Sequence, residues 1–373
     1  MKITIDRSDL MRALSHVQSV VERRNTIPIL SNVKLEAKDN VLSLTTTDMD
    51  LEINESVAAT VATEGATTAP AQTLHDIVRK LPDGAAVELA VDQGGATMTV
   101  KAGRSVFKLS CLPISDFPDI SRDDLGTNFS MSAADLRTMI DKTRFAMSTE
   151  ETRYYLNGIY LHAIEKDGMP FLCAVATDGH RLAKLDMPLP EGAASMPGII
   201  IPRKTVSEIR KLVEDAADQI EISMSENKIR FSFDHIRMTS KLIDGTFPDY
   251  QKVIPQGNDQ LIELNPAEFS KAVDRVATIT ASDKSRAVKL SINGNAMTLS
   301  ANSPDAGSAT EDVEIHNDNV AIEIGFNSRY LLDITSQIEG DGCRFSLADS
   351  SSPTVVEDIS DASALYVIMP LRV

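Results

Sequence analysis

Apolar positions recur along the chain at two spacings, and the order in which they recur repeats. A helical period falls at Leu10, Ala13, Leu14 and Val17, again at Leu136, Met139 and Ile140, and again at Phe269, Ala272, Val273 and Val276. Apolar residues three and four apart make one buried helix face. Each run follows a capping residue with an acid three positions later: Asp6 and Asp9, Ser132 and Asp135, Asn265 and Glu268. Each is also preceded by a strand-like alternation, Ile3/Ile5, Phe129/Met131 and Ile262/Leu264.

A second helical pattern recurs in the same register. Leu74, Ile77 and Leu81 match Val206, Ile209 and Val213, and both match Leu331, Ile334 and Ile338. Pro70 and Pro202 stand where a strand hands over to the first two of these helices, and Gly84, Gly340 and Gly342 act as stops. Alternating strands follow each: Val87/Leu89/Val91, Ile220/Ile222/Met224 and Cys343/Phe345/Leu347, then Met98/Val100, Ile229/Phe231/Phe233 and Val355/Val356. The first two copies end alike, in Phe117-Pro118-Asp119 and Phe247-Pro248-Asp249, while the third runs into Val367-Ile368-Met369-Pro370-Leu371-Arg372-Val373. The joint register predicts three modules, at 1–124, 125–255 and 256–373, each an α+β unit whose two helices pack one face on antiparallel sheet. Periodicity alone equally allows a trimer of such chains or an open solenoid.

One stretch of the second module stands out. Arg153-Tyr154-Tyr155-Leu156-Asn157-Gly158-Ile159-Tyr160, continuing to Val175-Ala176-Thr177-Asp178-Gly179-His180-Arg181-Leu182-Ala183, reads as two strands closed by polar turns. Leu156, Ile159 and Leu161 form one alternating apolar set, Phe171, Cys173 and Val175 the other, and Asp178-Gly179 is a turn signal.

Composition adds a puzzle about charge. Over 373 residues the net charge is -17, which argues at first against a nucleic-acid partner. Its distribution changes that picture. The six helical segments 6–24, 71–84, 132–148, 202–216, 265–280 and 326–339 hold 16 Lys and Arg against 14 Asp and Glu, so they carry +2 and the rest of the chain -19. Basic pairs cluster there, among them Arg79-Lys80 and Arg203-Lys204. Solvated helix faces account for such pairs; so does a surface facing a phosphate backbone, with an acidic exterior repelling it elsewhere.

Cys111, Cys173 and Cys343 stand far apart with no metal-ligand spacing, so reduced buried thiols are expected, with neither a disulfide framework nor a zinc site. No apolar run reaches 18 residues and the N-terminus alternates like a strand, so a soluble, cytoplasmic protein without a membrane partner is expected.

The three matched modules, Tyr154-Tyr155-Leu156-Asn157-Gly158, Ala176 through Ala183, Phe247-Pro248-Asp249-Tyr250, Glu323-Ile324-Gly325-Phe326-Asn327 and the terminal Val367 to Val373 together resemble the bacterial DNA sliding clamp family, the beta subunit of DNA polymerase III, from end to end. The resemblance implies a head-to-tail homodimeric ring of six similar domains that encircles duplex DNA without sequence preference. It implies a cytoplasmic, nucleoid-associated protein without a cofactor that tethers the polymerase III alpha subunit and also meets the clamp loader and other clamp-binding-motif proteins. Arg24, Tyr154 and Tyr155 match DNA-touching positions, which Arg79, Lys80, Arg203 and Lys204 extend along the helices.

A peptide pocket is implied at Leu156, Thr177, Gly179, His180, Arg181, Leu182, Pro248, Val253, Asn327, Tyr330, Val367, Met369, Pro370, Leu371 and Arg372. The apolar members suit a groove, and His180, Arg181 and Arg372 suit its polar rim. Phe107, Leu109 and Ile279 match the subunit interface. Glu150, Lys252, Ser351 and Pro353 depart from the familiar Gln, Arg, Val and Ser of the family, which bears on the DNA contact and on the peptide preferred.

The rival class is a hydrolase built on Asp178, His180 and a serine. Two residues in one turn do not orient on a single nucleophile without help from elsewhere, and no nucleophile elbow, phosphate loop, HExxH or dinucleotide fingerprint is present. A third reading is a repeat-built scaffold that binds peptides but not DNA.

Overall fold

The predicted caps hold. In the computed structural model, which describes all residues except 23–24, 122–124, 215, 217, 318–320 and 373, the Asp6 carboxylate accepts the Ser8 amide at 2.7 Å and the Ser132 hydroxyl accepts the Asp135 amide at 2.9 Å. The Asn265 side chain accepts the amides of Ala267 and Glu268, both at 3.0 Å. Each satisfies donors that a helix start leaves open.

The first module contains β1 (Lys2–Asp6), α1 (Arg7–Val17), β2 (Asn32–Lys38), β3 (Val41–Thr47), β4 (Leu51–Ala58), β5 (Thr60–Thr63), β6 (Gly65–Pro70), α2 (Ala71–Lys80), β7 (Ala86–Val91), β8 (Thr97–Ala102) and β9 (Ser105–Ser110). The second contains β10 (Thr127–Ser132), α3 (Ala133–Thr143), β11 (Gly158–Lys166), β12 (Met169–Thr177), β13 (Arg181–Pro188), β14 (Ile199–Pro202), α4 (Arg203–Leu212), β15 (Gln219–Met224), β16 (Lys228–Phe233) and β17 (Ile236–Lys241). The third contains β18 (Gln260–Leu264), α5 (Pro266–Ala277), β19 (Ala287–Asn293), β20 (Ala296–Ser303), β21 (Gly307–Glu314), β22 (His316–Asn317), β23 (Ala321–Asn327), α6 (Ser328–Thr335), β24 (Cys343–Leu347), β25 (Thr354–Asp358) and β26 (Ala364–Ile368). All six helices lie inside the segments expected from the pattern, and they are shorter.

Spatially the chain falls into two compact units that do not coincide with the modules. The first comprises Met1–Arg137, Pro190–Met196 and Lys204–Leu242. It holds a five-stranded sheet in the order β5-β1-β7-β8-β9 and an eight-stranded sheet β10-β15-β16-β17-β4-β3-β2-β6. Helix α1 packs on α2 and on β3 and β4, burying Leu10, Ala13, Leu14 and Val17 completely. The second unit comprises Thr138–Leu189, Pro197–Arg203 and Ile243–Val373, with a nine-stranded sheet β14-β11-β12-β13-β26-β25-β24-β18-β22 and a four-stranded sheet β21-β20-β19-β23. There α5 packs on α6 and on β19, β20 and β21.

The sheets reveal how the repeat is joined. In the eight-stranded sheet the first module's β4 pairs antiparallel with the second module's β17; in the nine-stranded sheet β13 pairs in the same way with the third module's β26. Residue pairs correspond along the two seams: Leu182 faces Val367 in one, Glu52 faces Thr239 in the other. Both members of each pair are buried. Glu52, pushed up from the ordinary carboxylate range by burial, accepts the Ile120 amide at 3.4 Å, and Lys228 donates to the Ile120 carbonyl at 2.9 Å. The chain's own segment thus lies against the polar seam.

Candidate binding cleft

The stretch read as two strands is three. Strands β11, β12 and β13 form a meander whose first turn is Asp167-Gly168 and whose second is Asp178-Gly179-His180. Tyr154, Tyr155 and Leu156 are not strand residues: Glu151–Leu156 is a 3-10 turn, broken at Arg153, that ends just before β11. Alternation over Leu156, Ile159 and Leu161 looked extended because all three are buried, but Leu156 reaches the core from the 3-10 turn and the other two from β11.

The second turn is wired by short polar contacts. Asp178 accepts the amides of His180 and Arg181 at 2.9 and 3.1 Å, and the Thr177 hydroxyl donates to the Arg181 carbonyl at 2.6 Å while accepting the Gly179 amide at 3.1 Å. Such Asx-type contacts fix a tight turn. Gly179 has φ +87°, and a Cβ there would lie 2.6 Å from Arg153 Nη1, so both conformation and space require glycine.

Arg181 corrects an expectation. It is 8% exposed and cannot serve as a rim ligand. Its Nε donates to Asp178 at 3.1 Å, Nη1 to Asp333 at 2.5 Å and Nη2 to the Phe145 carbonyl at 2.7 Å. The guanidinium also lies 4.4 Å from the Tyr330 ring centre and 5.2 Å from that of Phe145. Every direction of the fork is used, so Arg181 is a strut joining the turn to α6. Phe145 and Asp333 carry this arrangement and were missed in the sequence, where nothing local marks them.

Three of the apolar residues expected in a pocket share one cluster. Leu156, Leu182 and Val367 belong to one buried cluster with Cys173, Val175, Ile200, Phe247 and Tyr250, and Tyr155, Ile243 and Ile254 pack against it. Thr177, Met369, Pro370 and Leu371 are half-buried, while Pro248, Val253 and Arg372 are exposed. The last segment is strapped down by two backbone bonds, Met369 amide to His180 carbonyl at 2.9 Å and Leu371 amide to Gly325 carbonyl at 2.7 Å. His180 and Tyr330 stack with ring centres 6.4 Å apart. Asn327 uses its side-chain oxygen to cap α6 through the Arg329 amide at 2.9 Å, which leaves its NH2 as the available group. An apolar floor with backbone and ring groups at its edge can hold a short apolar segment of another chain.

The remaining expected residues are dispersed. Arg24 lies outside the described residues. Tyr154 is 53% exposed and packs edge-on to the half-buried Tyr155, ring centres 5.7 Å apart. Arg79 and Lys80 are exposed in the last turn of α2. Arg203 and Lys204 do not present free charges. Arg203 donates to the carbonyls of Met147, at 2.7 Å, and Ser148, while Lys204 is held by Asp48 with Glu22 at 3.5 Å. Glu150 is paired with Arg153 at 3.1 Å. Leu109, expected at an interface, is 8% exposed in its own sheet; Phe107 and Ile279 are half-buried, and the exposed large apolar residue of β9 is Val106, 56% exposed.

Burial sets the protonation of several groups in the sheets. Cys173 and Cys343 are free thiols whose pKa burial pushes up to about 12, whereas Cys111 is half-buried. His162 lies under Tyr160, ring centres 4.3 Å apart, with Nε2 3.0 Å from the Tyr250 hydroxyl. Burial, assisted by Lys184 and opposed by Asp186, lowers its pKa to about 4. Between that value and an unfolded-state value near 6.5 the unfolded chain binds more protons, so this residue's contribution to stability is lost as pH falls through that window. His162→Gln should therefore flatten the stability profile between pH 7 and 4 by on the order of 2 kcal/mol, allowing for partial solvent access. Denaturant titrations of both proteins across that range check it; parallel profiles would refute the assignment.

Among the described residues no cluster of His, Cys, Asp and Glu is placed to hold a metal ion, and no helix is long and apolar enough to cross a membrane. Repeated modules joined by shared sheets, with a buried apolar cluster beside one seam and the turn next to it tied to α6 through Arg181, define an interaction scaffold of the clamp type. Family models of the DNA polymerase III beta subunit match its N-terminal domain over residues 1–121, its central domain over 130–249 and its C-terminal domain over 251–372. The chain is 52% identical to the beta sliding clamp of Caulobacter vibrioides and 38% identical to that of Escherichia coli K12, over 100% of each. A crystal structure of a DNA polymerase sliding clamp from Caulobacter crescentus superposes with a TM-score of 0.95 at 51% identity, covering 100% of both chains. A sliding clamp from Bartonella birtlesii bound to griselimycin gives 0.97 at 50%, again over 100% of both. The chain belongs to the bacterial DNA polymerase III beta subunit family, the beta sliding clamps. Its members are processivity factors and not enzymes.

Proposed function

We propose that two copies close head to tail into a ring that encircles duplex DNA in the cytoplasm and tethers the replicative polymerase, the clamp loader and other DNA-processing proteins through a short apolar peptide held in the cleft. The observation that carries the ring is the pair of unmated sheet edges. At both seams within the chain, a strand like β4 or β13 pairs with a strand like β17 or β26. By position in the repeat β9 is the counterpart of β17 and β26, and β21 of β4 and β13, yet both end their sheets. A second copy can mate each with the other, a heterologous contact that closes when the rotation permits. Charge favours the match: Arg104 and Lys108 lie on or beside β9, and Glu311, Asp312 and Glu314 on β21. Phe107 in β9, and Ile279 in a turn packed against β21, lie near these edges.

Module limits at 1–124, 125–255 and 256–373 fit this pattern of seams. For the DNA-facing surface we retain Arg24, Tyr154, Tyr155, Arg79 and Lys80. The tied cations Arg203 and Lys204 are set aside. Sparse phosphate contacts without base readout suit a protein that slides. For the cleft, Leu156, Thr177, Leu182, Val367, Met369, Pro370 and Leu371 form the apolar surface, with His180, Asn327, Tyr330 and Arg372 at its edge and Pro248 and Val253 as a wall.

Loaded protein should remain on a nicked circular duplex and be lost once the circle is cut, with loss measured by gel filtration of protein and DNA. Equal retention on linear and circular DNA would defeat the ring.

A further inference from the structure

At the seam between the first two modules, α1 and β4 on one side and the end of α4 with the β16–β17 turn on the other line a cavity of about 430 Å³. That volume is in the range of small-ligand sites. Among its lining residues three carboxylates, Asp9, Glu55 and Asp234, stand against one guanidinium, Arg12. Glu55 is 4% exposed and bonds through Oε2 to His16 Nδ1 at 2.8 Å, and its other oxygen has no hydrogen-bond partner among the described residues. With His16 donating from Nδ1, Nε2 is left as an acceptor. The Asp9 carboxylate, two turns back on α1, meets Arg12 at 3.6 Å in an exposed pair that holds weakly. A carboxylate taken out of water without its full set of donors is costly, and a cation in the cavity would supply them.

The repeat shows what such a place accepts. Lys142 stands 126 positions after His16, the offset between Asp6 and Ser132, and Gln337 stands 125 after Leu212, the offset between Val206 and Leu331. In the sister seam the buried Lys142 ammonium donates to the Gln337 carbonyl and pairs with Glu339 at 2.8 Å, tying α3 to the end of α6. Here the imidazole turns to Glu55 within its own module, and Leu212 lines the cavity.

We propose that this cavity binds a small linear aliphatic diamine, one ammonium sitting between Glu55, His16 and the end of α4 as the Lys142 head group sits in the sister seam, the other reaching Asp9. Asp9 precedes His16 by seven residues, about 10 Å along the helix, which suits a chain charged at both ends better than one compact cation. Val57, Leu212, Ala216 and Phe233 give the methylenes an apolar wall. Among the described residues no three ligating side chains converge to hold a bare metal ion. A lysine side chain from a partner carries one ammonium and cannot serve Glu55 and Asp9 together. Bound, the diamine makes across the first seam the tie that Lys142 makes across the second, joining α1 and β4 to α4.

The test titrates the full chain calorimetrically, at fixed ionic strength, with 1,4-diaminobutane, 1,6-diaminohexane, butylamine and Nα-acetyl-lysine amide. One of the diamines should bind with a Kd on the order of 1 mM or tighter, and about tenfold more tightly than butylamine or the blocked lysine. Glu55→Gln, close in shape, should weaken it at least ~10-fold. His16→Lys, which brings an ammonium from within as Lys142 does, should abolish it. Asp9→Asn, at a partly exposed position, should reduce the diamine to the affinity of butylamine, and it serves alone if the two buried variants do not fold by circular dichroism. Absence of saturable binding by either diamine would overturn the inference. So would diamine affinity left unchanged in Glu55→Gln and His16→Lys, which would place the amine elsewhere on the acidic surface. Tighter binding of the blocked lysine than of the diamines would assign the cavity to a protein side chain and overturn it as well.

Discussion

Arg181→Ala should cost about 3 kcal/mol of stability and at least ~10-fold in peptide affinity, although Arg181 is nearly inaccessible to a ligand. Removing the guanidinium leaves Asp178 without its cation and Asp333 with only Arg329, 3.9 Å away, and frees the Phe145 carbonyl. Breaking a buried pair costs more than the pair was worth, because an uncompensated charge stays behind. The turn that carries His180 would then lose its link to α6, and Met369 would lose a fixed acceptor. Arg181→Lys should recover only part of the loss, since an ammonium cannot reach two carboxylates and a carbonyl in one plane. Thermal unfolding and peptide titration check both variants, with amide exchange in residues 177–182 as a local reading. An alanine variant of unchanged melting temperature and unchanged affinity would show that the ion pair is incidental.

Truncation after Ile368 should have the opposite profile. Met369, Pro370, Leu371 and Arg372 form one side of the cleft but contribute little to the core, being half-buried or exposed and held by two backbone bonds. Peptide affinity should fall at least ~100-fold, as when a binding site loses its central apolar contacts, while thermal stability and dimer formation change little. Isothermal titration of the truncated protein decides it, and retained affinity would move the peptide site elsewhere.

Much of the fold was legible because its elements bury one face at a regular period. Leu10, Ala13, Leu14 and Val17 announce α1, and Asp6 announces its start. Recurrence of the same signals at Ser132 and Asn265 established the repeat. Partners distant in sequence were not legible. Arg181 looked like a rim residue because its cationic type is evident locally, whereas Asp333, 152 positions on, is not. Lys204 looked like a phosphate contact for the same reason; Asp48 lies 156 positions away. Tyr154 to Leu156 were misread as strand because a 3-10 turn entering a sheet has no period of its own to detect. The cleft's apolar members could be named only through the resemblance, since strand alternation alone does not distinguish a floor such as Leu182 from ordinary core.

The polar seam between β4 and β17 bears on how many clients the molecule can serve. In the proposed function its sister seam backs the peptide site with Leu182 and Val367; here the same places hold Glu52 and Thr239, with the Ile120 amide bonded to the glutamate. The repeat would otherwise have furnished two berths per chain. On the proposed function, with one of them occupied from within, a two-chain ring would have a valence of two, so a polymerase in one berth would leave a single vacancy and exchange between clients would become competition for that place.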